Sequence, residues 1–216
     1  MKQFVIFGDS IFAERICKYI QRENVDTVLC FTNEQSFISR HQIGDLPVVP
    51  FEDLSLTYEK QDFEILICIG YGNMNRVREK IYSLCKEHGY AVGSWISTTA
   101  VIYTDMIDEG NIIMPCAYIG PTTTIGKCNI IASCVCISHD IVVGDFNFIS
   151  SSATFGGFCN IANNSFIGLN ATIKDNINIE NFTLVGAAAN IIQSTENYGV
   201  YVGNPAKKIG TQPICD

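Results

Sequence analysis

The segment ISHDIVVGDFNFI, residues 137–149, places a branched apolar residue at every sixth position. The same spacing extends in both directions, and of its sixteen positions all are apolar and fifteen are Val or Ile. They are Val101, Ile107, Ile113, Ile119, Ile125, Ile131, Ile137, Val143, Ile149, Phe155, Ile161, Ile167, Ile173, Ile179, Val185 and Ile191. A period of six is incompatible with an α-helix and is typical of a solenoid. The sequence therefore predicts a parallel β-helix over residues 93–198.

Two further columns of the repeat support this prediction. Glycine often follows the apolar residue, and we attribute it to the unusual backbone dihedrals of tight corners. The fifth position is usually small, as a narrow interior requires. Three hexads complete one triangular coil, so residues 18 apart in the sequence are expected to be stacked about 4.8 Å apart.

Residues 1–92 follow a different pattern. Apolar β-rich runs at 4–7, 27–31 and 64–69 alternate with helical spacing at 11–22 and 75–87, which predicts a small Rossmann-like α/β domain. Ligands of such sheets lie beyond the carboxyl ends of the strands. The turns at those ends hold the candidate substrate-binding residues Gly8, Asp9, Ser10, Thr32, Asn33, Gly70, Tyr71 and Asn73. Residues 199–216 are predicted to form a C-terminal tail.

The nature of the ligand follows from what the first turn lacks. A dinucleotide fingerprint requires three spaced glycines after the first strand and an acidic residue after the second. Here only Gly8 is present, and Thr32 stands after the second strand. We therefore expect a nucleotide sugar in this domain and not a nicotinamide cofactor.

Composition and charge exclude several classes of partner. A net charge of −8 and a pI near 4.8 argue against nucleic acid and anionic membranes. No apolar run reaches the roughly 20 residues of a membrane span, and the first residues do not form a signal peptide. We predict a cytoplasmic protein without a membrane span. In that reducing compartment the ten cysteines are expected to be free, buried thiols.

One histidine of three lies inside the repeat. His139 occupies the third position of its hexad, so its side chain is expected to project outward at a corner, with Asp140 beside it to orient the imidazole. One coil later the same position is Gly157, whose peptide N–H is available to an oxyanion. A base next to an oxyanion donor indicates acyl transfer. A zinc enzyme on such a coil requires several histidines, and we expect no metal.

The histidine segment, residues 137–146, resembles the His-Asp/Glu motif of bacterial nucleotide-aminosugar N-acetyltransferases, and the related sialic acid O-acetyltransferases carry a similar motif. The tail VYVGNPAKK, residues 200–208, matches the G-x-P-A-K ending of these enzymes. The resemblance covers the whole chain. It implies a left-handed β-helix, acetyl-CoA as cosubstrate, a homotrimer, and an α/β domain that holds the nucleotide sugar. IGYGNMNRVR, residues 69–78, is similar to members acting on dTDP-4-amino-4,6-dideoxyhexoses.

The resemblance also implies roles for individual residues. It makes His139 the general base, Asp140 its orienting acid and Gly157 the glycine that contacts the acetyl group. The coenzyme-binding set that it implies comprises Gly157, Gly168, Leu169, Gly186, Ala187 and Lys207. One departure is Phe148, which stands where many members have a second histidine. Transfer to a sugar hydroxyl and a non-catalytic scaffold remain open as alternatives.

Overall fold

A computed structural model describes residues 1–213 of the chain. Its contacts divide the chain into two units, one of Met1–Gly70 with Arg78–Ser94 and one of Tyr71–Val77 with the residues from Trp95 onward. The loop Tyr71–Val77 thus packs with the second unit, although it lies within the predicted first domain. Residues 214–216, the end of the predicted tail, lie outside the described residues.

The first unit contains a five-stranded sheet of order β3-β4-β2-β1-β5. Its elements, with the helix that follows them, are β1 (Gln3–Phe7), α1 (Ile11–Glu23), β2 (Thr27–Asn33), β3 (Gln42–Ile43), β4 (Leu46–Pro50), α2 (Leu54–Thr57), β5 (Glu64–Ile67) and α3 (Arg76–Glu87). All neighbouring strands are parallel except β3 and β4. The three predicted strands are present. The sequence did not predict β3 and β4, which are short and bracketed by polar residues and prolines.

Helix α1 is fixed at the end that matters for a ligand. Ser10 is its N-cap, and the Ser10 hydroxyl accepts a hydrogen bond from the Ala13 N–H at 3.4 Å. Ile16 and Ile20, four residues apart, are fully buried on the face towards the sheet. The helix start therefore lies at the carboxyl end of β1, where the sequence predicted it.

The second unit is a β-helix in which each coil gives one short strand to each of three sheets. The first sheet contains β6 (Trp95–Ile96), β8 (Ile112–Ile113), β11 (Ile130–Ile131), β14 (Phe148–Ile149), β17 (Phe166–Ile167), β20 (Leu184–Val185), β22 (Gly199–Val202) and β23 (Lys207–Thr211). The second contains β7 (Val101–Ile102), β9 (Tyr118–Ile119), β12 (Cys136–Ile137), β15 (Thr154–Phe155), β18 (Thr172–Ile173) and β21 (Asn190–Ile191). The third contains β10 (Thr124–Ile125), β13 (Val142–Val143), β16 (Asn160–Ile161) and β19 (Asn178–Ile179). All pairs are parallel except β22 with β23.

The predicted inward column forms the core of this unit. From Ile113 to Ile191 every sixth residue is at most 2% exposed. The small residues of the fifth position, such as Ala117 and Ala153, are also buried. Each coil covers the apolar faces of its neighbours, which supplies the main stabilisation of a solenoid.

The first coil departs from the predicted register. Val101 is 46% exposed, and Ile102 packs against the core in its place. Ile102 pairs with Ile119, 17 residues later, whereas the later coils repeat every 18. The prediction for Val101 was wrong because two adjacent branched residues, Val101 and Ile102, satisfy the sequence pattern equally well.

The physical reason that we gave for the glycine column was also wrong. The second-position glycines do not have positive φ; the left-handed corner residue is the fourth of each hexad, and it is never glycine between Cys116 and Ala188. The glycines are required by close stacking instead. A Cβ on Gly168 would lie 2.6 Å from the Ala187 nitrogen, and one on Gly120 would overlap the Ser138 carbonyl.

The cysteine prediction holds for most of the thiols. All nine cysteines among residues 1–213 are free, and six are buried, but Cys116 and Cys134 are exposed at left-handed corner positions. Within that part of the chain no helix is long and apolar enough to cross a bilayer. The same residues contain no group of three or more His, Cys, Asp or Glu side chains arranged for a metal.

Candidate functional site

His139 lies at the corner between the second and third sheets, directly after β12. Its side chain is 49% exposed, in agreement with the outward direction expected from its place in the hexad. The ring contacts Phe158 edge to face, with 5.2 Å between the ring centroids. The imidazole is thus held at a solvent-exposed edge of the coil and can meet a ligand.

Gly157 lies directly beside this imidazole, one coil further on. A Cβ on Gly157 would be 2.7 Å from His139 Cε1 and 2.9 Å from Nε2, so a side chain larger than glycine would displace the ring. Within residues 1–213 the Gly157 N–H makes no hydrogen bond. The structure therefore brings together the two groups that the sequence placed 18 residues apart.

Asp140 fixes the orientation of the histidine ring. Its Oδ2 lies 2.8 Å from His139 Nδ1, and donation from Nδ1 leaves Nε2 as the acceptor. The other carboxylate oxygen, Oδ1, accepts a hydrogen bond from the Thr122 hydroxyl at 2.6 Å. The hydrogen bond from Thr122, followed by that from His139, holds the pKa of the Asp140 carboxyl below its ordinary value. Asp140 is therefore a stable anionic acceptor.

The cysteines near this corner are not equipped to act as nucleophiles. Cys159 is buried, its thiol donates to the Lys174 carbonyl at 3.1 Å, and burial raises its pKa. A protonated thiol is a poor nucleophile. Cys136 is half-buried on the outer side of the second sheet. The arrangement favours a histidine base without a covalent intermediate on the enzyme.

The glycines expected to line the coenzyme lie at another corner. Gly168 and Gly186 are stacked after β17 and β20, between the first and second sheets, and each carries an exposed or half-buried successor, Leu169 or Ala187. The Ala188 N–H donates to the Leu169 carbonyl at 2.8 Å. The second sheet therefore separates this glycine corner from the corner of His139.

Lys207 lies at the C-terminal end of the same sheet. With Lys208, Gln193 and Ser194 it lines a cavity of about 310 Å³, next to the last strand of the second sheet, β21. The Ala206 N–H donates to the Asn190 carbonyl at 2.8 Å, which ties the tail to that strand. Two lysines at this end make it the positively charged end of the sheet.

The candidate substrate residues of the first unit converge at the carboxyl ends of β1 and β2. The Gly8 N–H donates to the Thr32 carbonyl at 2.8 Å, and a Cβ on Gly8 would be 3.0 Å from the Cys68 carbonyl oxygen. Gly8 has a φ of +118°, so glycine is required there both for the conformation and for space. Thr32 is fully buried, and its hydroxyl has no hydrogen-bond partner within the described residues.

Asp9 and Asn33 are already paired with each other. Asn33 Nδ2 donates to Asp9 Oδ1 at 3.0 Å, and Ser39 contributes its hydroxyl to Asp9 Oδ2 at 3.3 Å. Arg40 donates to the Asp9 carbonyl at 2.6 Å and approaches Glu14 at 3.5 Å. Sequence analysis missed Ser39 and Arg40, because no local pattern shows that this loop folds back over the first turn.

The remaining candidates, Gly70, Tyr71 and Asn73, are divided between the units. Arg78 donates to the Gly70 carbonyl at 3.1 Å in the first unit. Tyr71 packs on the outer side of the first sheet of the coil, with ring centroids 4.6 Å from Phe166 and 5.4 Å from Phe148. Phe148 therefore anchors this loop by aromatic packing. Asn73 is exposed and left-handed, with a φ of +48°.

Comparison with known proteins gives whole-chain matches of fold. No protein-family model matches the sequence, and no curated protein matches it. Perosamine N-acetyltransferase from Caulobacter crescentus, solved with CoA and GDP-perosamine, superposes with a TM-score of 0.85 at 22% identity, over 97% of this chain and 98% of that one. The acetyltransferase domain of PglB from Neisseria gonorrhoeae gives 0.85 at 20% identity, over 97% and 100%.

A third solved structure, WeeI from Acinetobacter baumannii, gives a TM-score of 0.83 at 23% identity, over 97% of this chain and 100% of that one. At these identities the matches establish the fold. The α/β unit followed by a parallel β-helix is the complete architecture of all three proteins.

Proposed function

We propose that this chain is an acetyl-CoA-dependent N-acetyltransferase acting on the amino group of a nucleotide-linked amino-deoxy sugar, of the dTDP- or UDP-4-amino-4,6-dideoxyhexose type. One observation carries the proposal: the His139 imidazole lies against the bare Gly157, whose N–H is unpaired, at an exposed corner. The whole-chain fold shared with N-acetyltransferases, one of them solved with CoA and a nucleotide amino sugar, supports the same reaction.

The reaction is a direct transfer. The sugar amine attacks the thioester carbonyl, His139 Nε2 accepts the ammonium proton, and the Gly157 N–H stabilises the oxyanion of the tetrahedral intermediate. The C–S bond then breaks, and the protonated His139 returns a proton to the departing CoA thiolate. Asp140 keeps the Nδ1 proton in place throughout, so that Nε2 always faces the substrate.

The coenzyme is proposed to lie along the outer side of the second sheet. This sheet is bounded by the His139 corner on one side, by Gly168-Leu169 and Gly186-Ala187 on the other, and by the Lys207 cavity at its C-terminal end. The thioester would meet His139, the pantetheine arm would cross the sheet, and the phosphates would approach the lysines. Lysine is well suited to phosphate as a compact positive charge.

The nucleotide is proposed to bind at the carboxyl ends of β1, β2 and β5 in the domain of residues 1–92, through Gly8, Asp9, Ser10, Thr32, Asn33 and Gly70. Tyr71 and Asn73 would contact the sugar. Tyr71 packs on the first sheet, whereas His139 lies at the corner where the second and third sheets meet. A site that uses both is completed by a second copy, which supports a homotrimer with a left-handed coil.

Substrate assays test this proposal. Acetyl-CoA is supplied with matched pairs of nucleotide sugars that carry either an amine or a hydroxyl at the acceptor carbon, and release of the CoA thiol is measured. We expect turnover with the amine and none with the hydroxyl. Turnover of the hydroxyl alone would replace the proposal by sugar O-acetylation. A protein that is not stabilised by acetyl-CoA in a thermal-shift titration would be a non-catalytic scaffold.

A further inference from the structure

Thr122 lies one coil before Asp140 at the corner of His139. Its hydroxyl oxygen is 2.6 Å from Asp140 Oδ1, while Asp140 Oδ2 is 2.8 Å from His139 Nδ1. The carboxylate is therefore held through both of its oxygens, by Thr122 on one side and by the imidazole on the other. Thr122, Asp140 and Phe158 occupy the same position of three successive hexads.

The backbone of Thr122 is unfavourable for this residue type. Eighteen non-glycine residues among residues 1–213 have positive φ, and Thr122, with a φ of +57°, is the only β-branched one. A branched Cβ makes the left-handed region particularly costly. Such strain persists where function requires the side chain, and here the side chain in question touches the partner of the base.

The direction of the hydrogen bond follows from charge. The Thr122 hydroxyl has one proton and two acceptors at 2.6 Å, the Pro121 carbonyl and the Asp140 carboxylate. A hydrogen bond to an ionised acceptor is stronger than one to a neutral carbonyl, so the proton points to Asp140. Thr122 and His139 are the two groups that lower the pKa of Asp140.

We propose that Thr122 is a positioning residue of the acetyl-transfer site, whose hydroxyl fixes the Asp140 carboxylate and through it the tautomer and direction of His139. The assignment of a role in transfer rests on the proposed function. The geometric part, from Thr122 to Asp140, is independent of it. Thr122 itself touches neither substrate.

Three variants separate the hydroxyl from the strain. Thr122→Ser keeps the hydroxyl and removes the branch, Thr122→Val keeps the branch and removes the hydroxyl, and Thr122→Gly removes both. We expect Ser to retain kcat within about twofold, and Val and Gly to lose about tenfold, the scale of one hydrogen bond to a charged group. KM for both substrates should stay unchanged. The Gly variant should melt at or above the wild-type temperature, because it relieves the left-handed strain.

Cys116→Gly is the matched control, since Cys116 is exposed and left-handed on the same coil at the preceding corner. It should leave kcat unchanged. A Thr122→Gly enzyme with wild-type kcat would overturn the proposal, as would loss of activity that follows melting temperature across the three variants.

An activity-independent measurement keeps this result separate from the proposed function. The Asp140 carboxyl is titrated by ¹³C NMR in the wild type and in Thr122→Val. We expect its pKa to rise in the variant, because the largest cause of its lowered value is removed. An unchanged titration would refute the inference whatever reaction the protein catalyses, whereas a wild type inactive on aminosugars refutes only the proposed function.

Discussion

Two corners of the same coil use one backbone conformation for different ends. Between the third and first sheets, the third residue of successive hexads forms a ladder: the Lys127 N–H donates to Asp145 at 2.7 Å, the Asp145 N–H to Asn163 at 2.7 Å, and the Asn163 N–H to Asn181 at 3.0 Å. Between the second and third sheets the same position holds His139 and Gly157, and the Gly157 N–H is left unpaired.

The difference shows how a repeat fold acquires a site. A corner N–H that a neighbouring side chain satisfies adds stability and offers nothing to a ligand. The same N–H without an acceptor is a preorganised donor that needs no rearrangement when negative charge develops. We therefore call the Asx-lined corner closed and the His139 corner open, and the two predict opposite responses to mutation.

The largest expected effect is at the open corner. His139→Ala should lower kcat by a factor of about 10²–10⁴, because the amine loses its general base. The melting temperature should change little, since the side chain is half-exposed. Steady-state release of the CoA thiol measures the first quantity and differential scanning calorimetry the second.

His41→Ala is the control for this variant, because His41 is exposed in a loop of the first unit. It should retain wild-type turnover. Nearly full activity in His139→Ala would remove the assignment of the base and with it the distinction between the corners.

A pair of glycine variants should dissociate activity from stability. In Gly157→Ala the new methyl group would displace the imidazole, whose Nε2 lies 2.9 Å from that position. The ring can move into solvent, so we expect kcat to fall by about 10- to 100-fold, within the range of misplaced catalytic groups, at little cost in stability.

In Gly144→Ala, at the closed corner, the methyl group would overlap the Asn163 side chain and lie 3.0 Å from the Ala162 carbonyl. The backbone cannot move aside, and overpacking of this kind costs about 1–3 kcal/mol. We expect a lower unfolding midpoint in guanidinium and unchanged kcat. If both variants changed the same quantity, open and closed would not describe the two corners.

The parts of the structure that could be predicted are those in which sequence period equals spatial period. Stacked coils bring residues 18 apart together, so the proximity of His139 and Gly157 followed from arithmetic on the chain. The same arithmetic could have found Thr122, 18 residues before Asp140. It was missed because threonine at a corner has no distinctive chemistry until its acceptor is known.

The parts that could not be predicted depend on backbone geometry or on contacts distant in sequence. The left-handed fourth position tolerates cysteine, phenylalanine and aspartate alike, so residue type does not reveal it. The loop from Tyr71 packs with the coil through contacts such as the Asn75 side-chain donation to the Ser165 carbonyl, 90 residues away. No local periodicity contains a pairing of that range.

The smallest expected effect tests the closed corner alone. Asn163→Ala removes the acceptor of the Asp145 N–H at 2.7 Å and leaves the site untouched. Because Asn163 is exposed, water replaces the lost acceptor in part, and we expect a loss of about 1 kcal/mol. For a chain of this size that corresponds to roughly 2–4 °C in melting temperature, with kcat unchanged.

Ser133→Ala is the matched control, because Ser133 holds the same hexad position at the third corner, between the first and second sheets, and its hydroxyl caps no N–H. Its melting temperature should equal that of the wild type. Equal losses in the two variants would mean that any truncation at this position weakens the coil. A loss confined to Asn163→Ala would attribute the stability to the capped N–H, which is the group that the His139 corner leaves available for the oxyanion.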